Sequence, residues 1–340
     1  MRKVINVISG KGGTGKTLLT AVLADMLGSQ GVSVLVVDLD IFVRGLTALL
    51  YFQNNGSLKI VESDEKTVSD FFKNRFDCID INRATAISRY RCFDVLPSVA
   101  SVNDILEFKD IMPNSIEDAN KVLSNLLESI PDVYEYIFLD SRAGYDELIA
   151  ATHQISDFSL CIEEDDDISM ITSENLITQL KIDNDQQILR IKNKTRQIDS
   201  KSGSMGLTFA GSIPFDSDVM NSFGTPHFWD DISRSLYKEA LATTWNSVAK
   251  KMRLGTYLPE GKRVSPLGST RLERRLSMFS SVNRVLYVYG IIITVLSSLV
   301  AIGGANLIHD MLIDPIRLSG LILSVLGLLL VIGSTINNKK

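Results

Sequence analysis

Cysteine is scarce in this chain of 340 residues. The three present, Cys78, Cys92 and Cys161, are scattered, with no C-x-x-C pair and no ligand spacing. A disulfide framework or a zinc cluster is therefore not expected; core thiols in a reducing compartment are. Histidine is as sparse. His153, His227 and His309 stand apart from any nucleophile or ligand pattern and read as structural. The start of the chain lacks a long apolar run: after Met1-Arg2-Lys3 the stretch Val4–Ile8 is far too short for a secretory signal. No internal repeats are found.

Basic charge is missing from most of the chain as well. The formal net charge is −5, yet Lys250 to Arg284 holds nine Lys or Arg against Glu260 and Glu273, a local +7. Residues 285–340 add +1, which leaves the first 249 residues at −13. Such a surface does not attract a polyanion, and direct nucleic-acid binding is not expected.

What is present is an alternation of short apolar runs and helical patterns. Val4–Ile8 feeds a glycine-rich loop, and a helical pattern follows from Thr17 to about Leu27, closed by Gly28 and Gly31. Val32–Asp40, Tyr136–Asp140, Phe158–Ile162 and Ile188–Lys192 read as buried strands, two of them ending in aspartate. A helical pattern such as Ser169–Lys181 separates them. The expected fold is α/β, a mostly parallel twisted sheet with helices on both faces, with ligands at the carboxyl ends of the strands. The stretch from Gln53 to Arg91 is polar and irregular and reads as an insertion on the rim. The acidic run Glu163–Asp167 lies between a strand and a helix and reads as a solvated loop with an N-cap.

The composition changes near residue 250. A globular domain is expected over 1–250 and a basic connector with prolines and glycines over 251–284. Two uncharged stretches follow, Val285 to Ile308 and Leu318 to Asn338. Each exceeds the roughly 18 residues that mark a membrane-spanning candidate. The expectation is a transmembrane α-hairpin over 285–338, with helices at about 285–308 and 318–336 and Tyr287 and Tyr289 as interfacial anchors. The link His309 to Arg317 carries Asp310 and Asp314, whereas Arg271, Arg274, Arg275 and Arg284 precede the hairpin and Lys339 and Lys340 follow it. The positive-inside bias then puts both termini and the globular domain on the cytoplasmic side of the membrane.

The chemistry is concentrated in the first loop. Gly10-Lys11-Gly12-Gly13-Thr14-Gly15-Lys16-Thr17 fits G-x-x-x-x-G-K-[ST] between a strand and a helix. Glycines let successive backbone N–H groups converge on phosphate oxygens, and the helix presents its positive end to them. Lys16 is expected to reach the β- and γ-phosphates and the Thr17 hydroxyl to bind Mg²⁺. Lys11 is a second lysine that such a loop does not require.

K-G-G-T-G-K-T resembles the deviant Walker A loop of the ParA/MinD-type ATPases, and the likeness extends over roughly residues 1–250. Val36–Thr47 is similar to the family's first switch, and Tyr136–Gly144 to its Walker B strand and second switch. Phe93–Ser98, the strand end at Asn193 and Gly211–Val219 occupy the places of three further landmarks. The resemblance implies ATP as substrate with Mg²⁺, slow hydrolysis, and a homodimer closed through the ATP site. It implies that Lys11 reaches across the dimer to the partner's nucleotide, a role like that of an arginine finger. It implies that Asp40 orients the attacking water and that Asp38 and Asp140 lie near the metal, acting through water ligands. Asn193 resembles the adenine-reading asparagine, with Pro214 lining the same base pocket. The run Asn193-Lys194-Thr195-Arg196 lacks the aspartate of N-K-x-D that would take guanine, which favours ATP.

Two features depart from the family pattern. Arg142 stands where proline is usual in the second switch. The family's MinD-type members hold the membrane by a reversible amphipathic helix, whereas two complete spans would not detach with each cycle. The expected function is a membrane-anchored ATPase of the bacterial inner membrane, switching by ATP-dependent dimerisation and controlling a protein partner. The alternative is a sensor ATPase of a bacterial antiphage defence-type system whose hairpin perturbs the bilayer. Gly303-Gly304-Ala305 with Gly320, Ser324 and Gly327 permit the close helix packing that either needs. A capsule-type tyrosine kinase would need a C-terminal tyrosine cluster, and the last tyrosine is Tyr289.

Overall fold

The computed structural model describes residues 2–53, 61, 65–73, 84–101, 103–183, 186–195, 208–225, 227–233 and 235–259. All fall in the first of two units into which the chain divides, Met1–Val264. Residues 260–284 of the expected connector and both uncharged stretches lie outside the described residues. Among the described residues, no helix is long and apolar enough to cross a membrane.

The chain begins β1 (Lys3–Ser9), α1 (Lys16–Gly28), β2 (Val34–Asp38), α2 (Gly45–Gln53) and α3 (Val68–Lys73). Next come β3 (Ser88–Tyr90), β4 (Phe93–Leu96), α4 (Phe108–Ile111), α5 (Ile116–Ser129), β5 (Tyr136–Ala143) and α6 (Glu147–Ile155). It continues with β6 (Phe158–Glu164), α7 (Asp167–Asp183), β7 (Ile188–Thr195) and β8 (Phe209–Pro214). Three helices close it: α8 (Ser217–Ser222), α9 (Phe228–Ser233) and α10 (Leu236–Met252). The strands form one sheet in the order β3-β4-β2-β5-β1-β6-β7-β8. Every neighbouring pair is parallel except the edge pair β3–β4. Each expected strand is present, and β5, β6 and β7 run two or three residues further than the apolar runs suggest.

Strand alternation sorts the apolar side chains onto two faces. Ile5 and Val7 of β1, Val34 and Val36 of β2, Tyr136 and Phe138 of β5 pack with α1, α2 and α8 to α10. Val4, Leu35, Val37, Ile137 and Leu139 point the other way, onto α3 to α6. Ile8, Cys161 and Ile188 continue that second face under α6 and α7. Helix α5 shows why such sequences fold as they do. Its buried Ala119, Val122, Leu123, Leu126 and Leu127 recur at helical spacing, and Ser115 caps its start by accepting from the Asp118 N–H at 3.1 Å.

Two expectations need correction. The stretch Gln53–Arg91 is not a polar rim insertion throughout: Val61, Val68, Phe71, Phe72, Ala86 and Tyr90 are buried and β3 joins the sheet edge. Its short apolar pieces are too brief to show a period, so only packing reveals them. The run Glu163–Asp167 is a solvated loop only in its second part. Glu163 and Glu164 belong to β6, and Glu163, only 2% exposed, pairs with Arg190 at 2.7 Å. Asp165, Asp166 and Asp167 are exposed, and Asp166 accepts from the Ser169 N–H as α7 begins, the expected N-cap.

The packing also continues past residue 250. Arg253 closes α10 in a left-handed conformation (φ 53°), and Leu254 and Leu258 then fold back into the core. Asn246 holds this strap with two hydrogen bonds of 2.8 Å, donating to the Leu258 carbonyl and accepting from its N–H. Trp245 donates to the Thr256 carbonyl at 3.1 Å. Replacing Asn246 by Ala leaves both backbone groups of Leu258 unsatisfied, so the expected cost is about 1–3 kcal/mol. Urea unfolding followed by tryptophan fluorescence measures it; an unchanged midpoint would mean that the strap does not stabilise the domain.

Candidate functional site

The carboxyl ends of β1, β2 and β5 meet at one edge of the sheet, where the first loop leaves β1. Gly15 ends that loop as the N-cap of α1 with φ +88°, a left-handed conformation. A Cβ there would come within 2.6 Å of the Asn193 amide nitrogen. Gly10 is confined differently: a Cβ there would lie 2.3 Å from the backbone of Thr172 in α7. Loop and α7 are thus packed main chain to main chain. From the other side, β7 fastens the loop. The Asn193 Nδ2 donates to the Thr14 carbonyl at 2.8 Å, and the Lys194 Nζ donates to that of Gly13.

Lys16 is buried and donates to Ser9 Oγ at 2.9 Å, and Ser9 in turn donates to the Lys11 carbonyl at 2.7 Å. Burial lowers the Lys16 ammonium below its usual range, opposed by the charges of Asp140 and Asp40. Thr17 Oγ1 donates to Asp140 Oδ2 at 2.8 Å. Asp140 lies in register with Asp38 across the β2–β5 pair. Asp38 Oδ2 accepts from both the N–H and the hydroxyl of Thr47, at 2.8 and 2.7 Å. Ser98 locks Thr47 in place, its N–H donating to Thr47 Oγ1 at 2.8 Å. The sequence stretch Phe93–Ser98 therefore reaches the site through Thr47.

Both strand-end carboxylates are fully buried, and one oxygen of each, Oδ1, has no partner. Burial, reinforced by Asp140, pushes Asp38 up to about 7. Burial pushes Asp140 up to about 6, against the pull of Lys16 and the Thr17 hydroxyl. Among the described residues no group of three His, Cys, Asp or Glu forms a ready-made metal cage. The donor set of one hydroxyl and two under-bonded carboxylates is instead that of Mg²⁺, which keeps several waters and takes its other ligands from phosphates. These residues fit that ion.

Beside them opens a cavity of about 610 Å³, a size suited to a nucleotide. Gly12, Gly13, Gly15, Lys16, Thr17 and Asp40 line one side. Asp40 is half-buried and accepts from the Val43 N–H at 3.3 Å. Sequence reasoning missed the other walls. Phe42, Val43 and Phe108 line one, with the rings of Phe42 and Phe108 stacked 5.3 Å apart; Met220 and Phe223 from the α8 end line another. Arg142 and Lys194 complete the lining. No periodic signal marks these aromatics, because they come from irregular segments and short helices. Asn193 and Pro214 are buried behind the loop, outside this lining.

Lys11 lies on the outer side of the loop. Its ammonium pairs with Glu164 Oε2 and Asp166 Oδ2, both at 2.8 Å, which raise its pKa, Asp166 most strongly. Lys11 holds Asp166 below the usual carboxylate range; burial pushes Glu164 the other way, but Lys11 and Lys194 outweigh it. Of the remaining candidates, His153 is buried with Nδ1 2.8 Å from Ser159 Oγ, a core contact. His227 is exposed. Cys161 is buried, where burial raises its thiol to about 12, and Cys92 is half-buried; both are free thiols.

Known proteins resemble this chain in sequence and in fold. An uncharacterized ATP-binding protein of Methanocaldococcus jannaschii is 23% identical over 230 residues, 64% of this chain and 86% of that protein. A putative septum site-determining protein MinD of Tupiella akineta is 27% identical over 236 residues, 65% and 69% of the two chains. The structure of the septum site-determining protein MinD from Pyrococcus horikoshii, complexed with Mg-ADP, has the same fold. It superposes with a TM-score of 0.55 at 22% identity, covering 74% of this chain and 97% of its own. Residues 2–194, more than half of the chain, match an AAA domain family (AAA_31). The chain belongs to that AAA domain family and is a P-loop ATPase with MinD relatives.

Proposed function

We propose that this ATPase is a membrane-anchored switch that dimerises on ATP and controls a protein partner at the cytoplasmic face. One observation carries the reading: Lys16, Thr17 and Asp40 line one cavity, with Asp140 bonded to Thr17 behind it, while Lys11 pairs with Glu164 and Asp166 outside that lining. A lysine turned outward from its own phosphate site suits the site of a second subunit. The membrane part rests on the two uncharged stretches and their basic flanks.

In this reading the loop amides and Lys16, leaving Ser9, hold the triphosphate. Thr17 would hold Mg²⁺, with Asp38 and Asp140 accepting from its waters, and the bound ion supplies charge neutralisation of the phosphates. Asp40 orients the attacking water. Met220 and Phe223 offer an apolar wall to the base, with Asn193 and Pro214 behind it. Lys11 exchanges Glu164 and Asp166 for the partner's phosphates, which ties dimer closure to ATP. Hydrolysis removes that anchor and reopens the dimer.

The chemistry is tested with purified protein. ATP should be hydrolysed slowly and GTP poorly. Asp40→Ala should keep ATP binding while losing turnover, and Lys16→Ala should lose binding itself. Hydrolysis surviving Lys16→Ala would remove the loop from the active site.

The trans role of Lys11 has its own signature. Lys11→Ala should retain monomeric nucleotide binding and lose ATP-dependent dimerisation, with Lys11→Arg restoring only part of it. Mixing Lys11→Ala with Asp40→Ala protein should return some hydrolysis, because one mixed site combines an intact Asp40 with an intact Lys11. Silence from demonstrated mixed dimers would show that Lys11 does not act across the interface.

Topology is read by labelling. A cysteine placed at Asn306 should react with an impermeant reagent outside intact cells, and one at Ser269 should not. The reverse pattern overturns the cytoplasmic placement of the ATPase.

A further inference from the structure

Lys194 at the cavity fastens the loop at Gly13, whereas Arg142, another cation of the lining, has no task in the proposed function. It lies two residues beyond Asp140 on β5, which continues to Ala143 and pairs there with Ser9 of β1. The β1–β5 register shifts between Val7 and Ser9, opposite Asp140 to Ala143, an irregularity that re-aims side chains at a strand end. Arg142 lines the same cavity as Lys16, Thr17 and Asp40. A proline in its place would bring no charge.

The present partners of Arg142 are modest. Its Nε pairs with Asp146 Oδ2 at 3.2 Å, its Nη1 donates to Met112 Sδ at 3.7 Å, and its guanidinium stands 5.7 Å from the centre of the Phe108 ring. The side chain remains 30% exposed. Asp146 does not depend on it, because Asp146 Oδ1 accepts from the Ile149 N–H at 2.8 Å and caps α6. A single partly exposed carboxylate is a weak competitor for a guanidinium when a triphosphate enters the cavity. The planar fork of arginine matches two phosphoryl oxygens at once.

We propose that Arg142 is a catalytic residue supplied in cis, exchanging Asp146 for oxygens of the γ-phosphoryl group. The proposal rests on the ATPase reading and adds a contact from the same subunit to the one assigned to Lys11. In hydrolysis the water oxygen bonds to the γ-phosphorus, and the bond from that phosphorus to the β–γ bridging oxygen breaks. Its electron pair stays on ADP. One water proton remains on the released phosphate and the other passes to solvent. Arg142 gives and takes no proton; it neutralises charge on the transferring group.

The test uses the full chain and two readouts, turnover and the trapping of ADP with aluminium fluoride, which mimics the transferring group. Arg142→Ala and Arg142→Gln should bind a non-hydrolysable ATP analogue within about threefold of wild type, yet lose kcat on the order of 100-fold. Both should fail to trap ADP with aluminium fluoride, and Arg142→Lys should recover part of each property. Asp146→Asn retains a capping side chain and should trap as wild type does. If Arg142 only braces α6, Arg142→Gln and Asp146→Asn will lower thermal stability alike and both will still trap ADP; that result overturns the proposal. Wild-type protein that binds no nucleotide would overturn it together with the ATPase reading, and is distinguished by that binding measurement.

Discussion

Two buried carboxylates, Asp38 and Asp140, face each other across adjacent strands, and the surrounding architecture is arranged to hold them there. Neither has enough partners. Thr47 serves one oxygen of Asp38, Thr17 serves one oxygen of Asp140, and the Lys16 ammonium offsets the charge of Asp140. Burial pushes both carboxyls upward, and the charge of Asp140 adds to the shift at Asp38. The stability comes from elsewhere, from two apolar faces packed under helices. The pair is a local exception in a fold that is otherwise locally consistent.

Much of this end was legible in the sequence, because its parts are local. A strand, a glycine loop and a helix follow one another within Lys3–Gly28, and the aspartates mark their own strand ends. What escaped is what depends on distant partners. Glu163 looks solvated beside four other acids until Arg190, which lies on β7, is brought under it. The link between Thr47 and Ser98 spans a region with little regular pattern. The Asn193 amide reaches the Thr14 carbonyl, a contact that no local pattern encodes. The strap over Leu254–Leu258 escaped because two leucines in an irregular segment give no period.

The outward lysine and the acidic run form a single electrostatic unit. Glu164 bridges Lys11 and Lys194, and Lys194 also holds the Gly13 carbonyl. These pairs are partly exposed, so each is worth about 1 kcal/mol or less. Their strength suits a tether that orders the loop in the absence of a partner and yields to a phosphate. Gly10 adds a steric element, since the loop backbone rests directly on α7 and the two must shift together if either shifts.

The strap at the end of the described chain also sets how the domain bears a pull. Leu258 is fastened by the paired hydrogen bonds of one side chain, Asn246, one residue before Pro259. Tension applied at Pro259 would meet these bonds first, followed by the indole bond of Trp245 to Thr256. They would break in sequence rather than together, the weak geometry of a zip. Asn246 and Trp245 both belong to α10, so these bonds pass the load to that helix, which packs against β8 and α1. A pull at Pro259 is in that sense routed through α10 to α1, whose first residue is Lys16.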